Sequence, residues 1–165
     1  STTAMLVIGD ALAMALLKAG NFSPADFADI HPGGILGRKL LTRVSDLMVP
    51  PPLPVMPEDA TLPDAVDMMT KHRGICLCTD RNGALSGIFV YGDLGRLMRD
   101  RDDIRSLVLS DVLIRNPSIA APAEPASSAL ARMEQRGITS LVVVDGDSRP
   151  VGLIYLHDIM RAGIY

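Results

Sequence analysis

Two segments of this 165-residue chain carry nearly the same pattern. Gly87-Ile88-Phe89-Val90-Tyr91-Gly92-Asp93-Leu94 and Gly152-Leu153-Ile154-Tyr155-Leu156-His157-Asp158-Ile159 both run from a glycine through a short apolar strand to an aspartate. That aspartate opens a new apolar-periodic segment, and Asp93 and Asp158 stand 65 positions apart. The same register lays Val44-Ser45-Asp46-Leu47-Met48 onto Leu109-Ser110-Asp111-Val112-Leu113. A unit of this length cannot easily bury its own hydrophobic face, so two copies pack together. Packing of that kind leaves a cleft between the copies, and clefts bind ligands.

The spacing predicts the same elements in both copies. The first reads strand (Leu53–Met56), helix (Leu62–His72), strand (Ile75–Thr79), strand (Leu85–Val90), helix (Asp93–Arg99). The second reads Ile119–Ala121, Ser127–Gln135, Thr139–Val144, Val151–Tyr155 and Asp158–Ala162. Asn82-Gly83 marks the first hairpin, and Asp145-Gly146-Asp147 the second. The copies differ in detail: six positions separate Gly74 from Asp80, but eight separate Gly137 from Asp145. Pro50, Pro51, Pro52 and Pro54 exclude a helix and set a boundary before the first copy.

Composition limits the alternatives. With 48% hydrophobic residues there is enough apolar material for a core, but aromatics are 4% and Trp is absent, so Leu, Ile, Val, Met and Ala do the packing. A net charge of −3 supplies no basic footprint for nucleic acid. Cys76 and Cys78 lie two apart on a strand, which suits a disulfide poorly. A metal site would need more ligands than nearby His72 offers, so the thiols read as small core hydrophobes in a cytosolic protein, and no metal is expected.

Ala4–Ala19 reads as a helix, with Thr2 or Thr3 as N-cap and Gly20 at its C-terminal end. Its only charges are Asp10 and Lys18. Asp10 interrupts a membrane-length run, which favours a core helix whose domain lies upstream; the chain reads as a fragment. Ser23-Pro24-Ala25-Asp26 opens a second helix running to about Ile30, ahead of His31-Pro32-Gly33-Gly34, and Ile35–Leu41 forms a third. The expected division is 1–43, 44–104 and 105–165.

The duplicated strand-helix-strand-strand-helix order, closed each time by the glycine-to-aspartate motif, resembles a CBS-domain pair, or Bateman module. The resemblance implies an α/β (α+β) fold of tandem CBS repeats. Each is a short three-stranded sheet with two helices, and the two pair about a pseudo-two-fold axis. It also implies a regulatory module that binds nucleotides between the halves. At the other end, Ser1-Thr2-Thr3-Ala4, Gly9-Asp10-Ala11-Leu12-Ala13 and His31-Pro32-Gly33-Gly34-Ile35-Leu36-Gly37-Arg38 are similar to the end of the sugar-isomerase (SIS) domain of bacterial arabinose 5-phosphate isomerases. His157-Asp158-Ile159-Met160-Arg161-Ala162-Gly163 is similar to that family's C-terminus. The family interconverts ribulose 5-phosphate and arabinose 5-phosphate on the route to the Kdo sugar of lipopolysaccharide, as cytoplasmic tetramers. The resemblance therefore implies self-association, as a CBS-pair dimer and as a tetramer in the whole enzyme. It implies no required cofactor, no nucleic-acid or membrane partner, and no turnover by this piece alone.

On this reading His31 is the catalytic candidate of the intact enzyme, since a near-neutral imidazole suits proton transfer between adjacent carbons. Ser1, Thr2 and Thr3 read as helix capping, with an anion site as the alternative. Lys71-His72-Arg73 reads as a solvated helix end offsetting the dipole, with phosphate binding as the alternative. Asp93 and Asp158 are helix caps or, as in CBS pairs, holders of ribose hydroxyls. The Ser or Thr of that motif, three residues earlier, is replaced by Val90 and Tyr155, and valine has no hydrogen-bonding side chain. Ordinary adenosine recognition is therefore disfavoured, and Tyr155 and His157 make the second half the richer in contacts. The expected ligand-binding set is Tyr91, Asp93, Ile138, Thr139, Ser140, Tyr155, His157, Asp158 and Arg161. The expected ligand is a nucleotide or nucleotide-sugar such as CMP-Kdo. The rival readings are an oligomerisation module with a vestigial cleft and a sensor of adenine nucleotides.

Overall fold

The computed structural model of the chain describes residues 1–23, 26, 39–101 and 103–165. The expected helices near Ser23–Ile30 and Ile35–Leu41, and His31 with them, lie mostly or wholly outside those residues. At residues that are described, Ser23 Oγ accepts from the Asp26 amide at 3.2 Å, a capping bond.

Helix α1 (Thr2–Ala19) has no buried residue, and Met5, Leu6, Leu16 and their apolar neighbours are exposed. By length and composition it is the one helix among the described residues that could cross a membrane. The short helix α2 (Val44–Leu47) follows, then β1 (Val55–Met56), α3 (Leu62–Lys71), β2 (Ile75–Thr79), β3 (Leu85–Val90) and α4 (Tyr91–Asp100). A 3-10 turn at Leu109–Asp111 leads into β4 (Ile119–Ala120), α5 (Ala126–Arg136), β5 (Ser140–Val144), β6 (Pro150–Tyr155) and α6 (Leu156–Arg161). Each repeat is a three-stranded sheet, β1-β2-β3 or β4-β5-β6, with the first pair of strands parallel and the second antiparallel.

Helices α4 and α6 begin two residues before the expected aspartate. In α4 the reason is local: Asp93 sits in the first turn and reaches back to accept the Val90 amide at 3.3 Å. Asp46 does the same for the Arg43 amide at 2.8 Å, which is the carboxylate half of a capping box. The hairpins also repeat. Asp80 Oδ1 accepts from the amides of Asn82 and Ala84, and Asp145 Oδ1 from those of Asp147 and Arg149. Gly83 and Ser148, 65 positions apart, take the same left-handed conformation.

Three apolar clusters hold the pair together. Leu62, Ala65, Met69, Cys76, Cys78 and Phe89 fill the first repeat, and Ala126, Leu130, Met133, Leu141, Ile154 and Ile159 fill the second. Ile75, Leu77, Val142, Val144 and Leu153 form a third cluster between the sheets. The lead-in segments cross over. Val44, at the start of the first repeat, is buried in the core of the second, and Leu109, near the start of the second, is buried in the core of the first. Backbone bonds pin both crossings: the Val44 amide donates to Glu124 O at 2.9 Å and the Leu109 amide to Ala60 O at 3.0 Å. The repeats are thus locked by exchanged pieces as well as by the face between their sheets.

Candidate functional site

The crossing lead-ins create two related clefts. Ile114 pairs with Ile88 of β3, and Val49 pairs with Leu153 of β6. Cleft I therefore joins the β3–α4 corner of the first repeat to the 136–140 turn of the second. The corresponding corner, cleft II, brings β6–α6 of the second repeat to the 71–75 turn of the first, and Arg73, Gly74 and Ile75 of that turn also line cleft I.

Cleft I is open. It has a volume of about 640 Å³, and its walls include Val90, Tyr91, Gly92, Arg96, Ser118, and Arg136 to Ser140. Pockets of this size accept small-molecule ligands. Asp93 stands next to the lining Gly92 and is paired with Arg96. Arg136 donates to the Ser118 hydroxyl at 2.8 Å. Tyr91 lies against Gly74, where a Cβ would come within 2.4 Å of its ring. Gly74 also has φ +81°, so glycine is required there on both counts. Two other grooves, of about 810 and 740 Å³, run beside β4 and β1 at corresponding places in the repeats. Each is confined to one repeat, and Arg132 in the larger is already paired with Glu124.

Cleft II is bridged. Arg73 Nη1 donates to Asp158 Oδ2 at 2.7 Å, and the guanidinium carbon lies 4.6 Å from the centre of the Tyr155 ring. The Asp158 side chain is only 18% exposed. Burial pushes the Tyr155 phenol above its ordinary value; the Arg73 guanidinium pulls it back and the Asp158 carboxylate adds to the rise. His157 and Arg161 face each other at 2.9 Å on the exposed side of α6.

The turns that face the two corners explain the difference. Gly137 closes α5 in a left-handed conformation (φ +62°). In the first repeat two residues after the helix have positive φ, Arg73 (+52°) and Gly74 (+81°), and Arg73 is the nearer to Gly137 in conformation. The carbonyls of Gly74 and Thr139 each accept the first amide of the following corner helix, Tyr91 and Leu156. Arg73 therefore corresponds to Gly137 and Gly74 to Thr139, with Ile138 as an extra residue in the second repeat. A side chain in the left-handed region costs about 1 kcal/mol relative to glycine. A half-exposed ion pair returns about 0.5–1 kcal/mol, and a cation–π contact a similar amount. The bridge is thus favourable by no more than about 1 kcal/mol.

The structure divides the expected ligand-binding residues. Tyr91, Ile138, Thr139 and Ser140 line cleft I, with Asp93 beside it; Asp158 and His157 belong to the corner of cleft II, with Arg161 one turn further along α6. Tyr155 stands at the seam, lining cleft I while carrying Arg73. The open volume lies at the first aspartate, whereas residue types made the second half the richer. Arg96 and Arg136 of the cleft wall were missed by the sequence reading, although the three-residue step from Asp93 to Arg96 is a helical pairing signal. Lys71 pairs with Asp67 at 2.7 Å as a solvated helix end should, while its neighbour Arg73 crosses to the other repeat. Among the described residues no group of three or more His, Cys, Asp or Glu is gathered to hold a metal.

A family model for the CBS domain matches residues 44–100 and 109–165. The arabinose 5-phosphate isomerase KdsD of Escherichia coli K12 is 45% identical over 166 residues, covering 99% of this chain and 50% of that protein. Its counterpart in Pseudomonas aeruginosa is 44% identical, covering 99% and 51%. The chain thus spans about half the length of the curated relatives it matches. Among solved structures, the CBS domain pair of protein MJ0100 in complex with 5′-methylthioadenosine and S-adenosyl-L-methionine is similar at TM-score 0.65. It is 25% identical, and the match covers 73% of this chain and 94% of that one. The AMP complex of CBS domain protein PAE2072 from Pyrobaculum aerophilum, 24% identical with TM-score 0.64, covers 72% and 90% and shares the fold. With both repeats matched and both sheets in place, this chain belongs to the CBS domain family, as a tandem pair.

Proposed function

We propose that this chain is the regulatory CBS pair of an arabinose 5-phosphate isomerase, and that a nucleotide or nucleotide-sugar bound in cleft I biases an attached sugar-isomerase domain. The observation that carries this reading is the open cleft of about 640 Å³ built from both repeats, with an aromatic ring and guanidinium groups in its wall. Tyr91 and Ile138 offer an apolar surface to a base, and Thr139 and Ser140 a polar edge. Arg96 and Arg136 meet a phosphate or a sugar carboxylate. Asp93 can exchange Arg96 for ribose hydroxyls, but Val90 cannot assist it, which favours a ligand other than a plain adenylate. CMP-Kdo, a product downstream of the isomerase, is a ligand of this kind, a nucleotide other than an adenylate that carries an acidic sugar. The similarity to KdsD along 99% of the chain supports the assignment of the parent enzyme, a cytoplasmic location, and a role for His31 in its isomerisation.

Thermal-shift titration with CMP-Kdo, CMP, AMP and ATP tests the reading. A ligand at ten times its Kd adds about 1.4 kcal/mol of stability, and CMP-Kdo should give the largest rise in Tm. No rise with any of the four at millimolar concentration contradicts it. For the parent enzyme, His31→Ala should abolish isomerisation while leaving the fold intact, and retained activity removes His31 from the mechanism.

A second reading, an assembly module with a vestigial cleft, is favoured by the exposed Met98 on α4 and Met160 on α6, 62% and 50% accessible. Sedimentation separates the two: a stable dimer insensitive to every nucleotide favours assembly.

A further inference from the structure

We infer that Arg73 is a built-in latch that closes cleft II, so that the pair takes ligand in cleft I alone until the guanidinium leaves Asp158. This rests on the reading of the clefts as nucleotide sites, and it adds that the two are unequal for an identifiable reason.

At the corner of cleft I, Asp93 faces a turn whose left-handed residue is Gly137, which has no side chain to project. At the corner of cleft II, Asp158 faces a turn with two residues of positive φ, Arg73 and Gly74, and Arg73 is the one that carries a side chain. Arg73 satisfies Asp158 with a charge-assisted bond of 2.7 Å and covers the face of Tyr155 at 4.6 Å. A carboxylate and an aromatic face are the groups that would hold a ribose and stack on a base. Arg73 engages both, doing to them what a ligand would do. The pairing of Asp93 with Arg96 is different in kind, because both lie on α4 and the pair does not join the two repeats.

Arg73 and Tyr155 also line cleft I. A phosphate arriving there competes with Asp158 for the same guanidinium, so the latch responds to anionic ligands and less to neutral nucleosides. Opening is set by a small free-energy difference, and a binding site populated only when the latch is open has its affinity lowered by the open fraction.

The test uses the intact chain and the variant Arg73→Gly, which keeps the left-handed turn by copying its counterpart Gly137. CMP and AMP are titrated by calorimetry, and isoleucine methyl signals are followed by NMR. Ile138 reports on cleft I, and Ile159, the neighbour of Asp158, on cleft II. In the native chain Ile138 should shift and saturate first, with Ile159 following only at about fivefold higher ligand concentration. In Arg73→Gly both should shift, with affinity at cleft II tightened by up to about fivefold. Arg73→Ala should give the same pattern, which guards against an effect of the glycine itself. Ile159 saturating together with Ile138 in the native chain overturns the latch, as does an Ile159 that stays silent in both variants while Ile138 responds. Absence of binding by any of the three chains overturns the nucleotide reading itself, and the latch with it.

Discussion

Clefts I and II are built from the same elements at a spacing of about 65 residues, yet one is open and the other is bridged. The difference comes down to one turn. Gly137 caps α5 and Arg73 stands two residues past the end of α3, both left-handed. The duplicated backbone conserves the place where a side chain must face the opposite aspartate, and the residue type there decides whether that aspartate is available. Symmetry of fold therefore does not deliver symmetry of function, and a pseudo-two-fold pair can carry one receptive cleft and one satisfied cleft.

The largest expected effect tests whether the two halves depend on each other. Leu109 is fully buried in the first repeat although it leads into the second. Leu109→Ala should cost about 3 kcal/mol and lower a single cooperative transition in calorimetry. Two separated transitions would break the picture of repeats locked by exchanged lead-ins.

Alkaline titration separates the repeats chemically. Burial pushes Cys76 up to about 12 and Cys78 up to about 11, against an ordinary value of 9.0. The second repeat has Leu141 and Val143 at the corresponding positions. Raised values mean that the unfolded chain gives up these protons first. The stability they contribute is whole below about pH 9 and is lost as the pH rises towards 11 and 12. Each thiol removes up to about 1.4 kcal/mol per pH unit in that window. Denaturant melts should show this loss, and the double variant Cys76→Leu, Cys78→Val should flatten it. Below pH 8 the native thiols should resist iodoacetamide.

Smaller effects address the turns. Gly74→Ala meets both a φ of +81° and the Tyr91 ring, and should cost about 2 kcal/mol. Gly137→Ala meets no neighbour within 4 Å and should cost only the left-handed conformation, about 1 kcal/mol. Equal costs in urea melts would remove the distinction between the two turns. Of the same size, Arg73→Gly should be more stable than Arg73→Ala by about 1 kcal/mol, since alanine keeps the strained backbone without the bridge.

Much of this architecture was legible in the chain. The spacing of Asp93 and Asp158 revealed the repeat, and apolar runs located β2, β3, β5 and β6 because buried strands are continuous in hydrophobicity. Asp80 and Asp145 could have been read as equivalent turn formers, since they lie in the same 65-residue register. The exchange of Val44 and Leu109 was not legible, because an apolar residue records that it is buried and not in which repeat. The equivalence of Arg73 and Gly137 was also hidden. Counting from glycine to glycine aligns Gly74 with Gly137, whereas backbone conformation aligns Gly137 with an arginine and places the insertion at Ile138. Charge misled in the same way: Lys71 and Arg73 look alike at a helix end, but only the left-handed backbone of Arg73 turns its side chain towards the other repeat.

The central claim is that ligand enters at the first aspartate. The most direct measurement is the electron density of the chain crystallised and soaked with CMP or CMP-Kdo. The account predicts a nucleotide in the cleft between Tyr91 and the Ile138–Ser140 turn, its acidic group near Arg96 and Arg136, with Arg73 still on Asp158 at partial occupancy of the site. A nucleotide lodged at Asp158 and Tyr155 with Arg73 displaced, and nothing beside Tyr91, would contradict it.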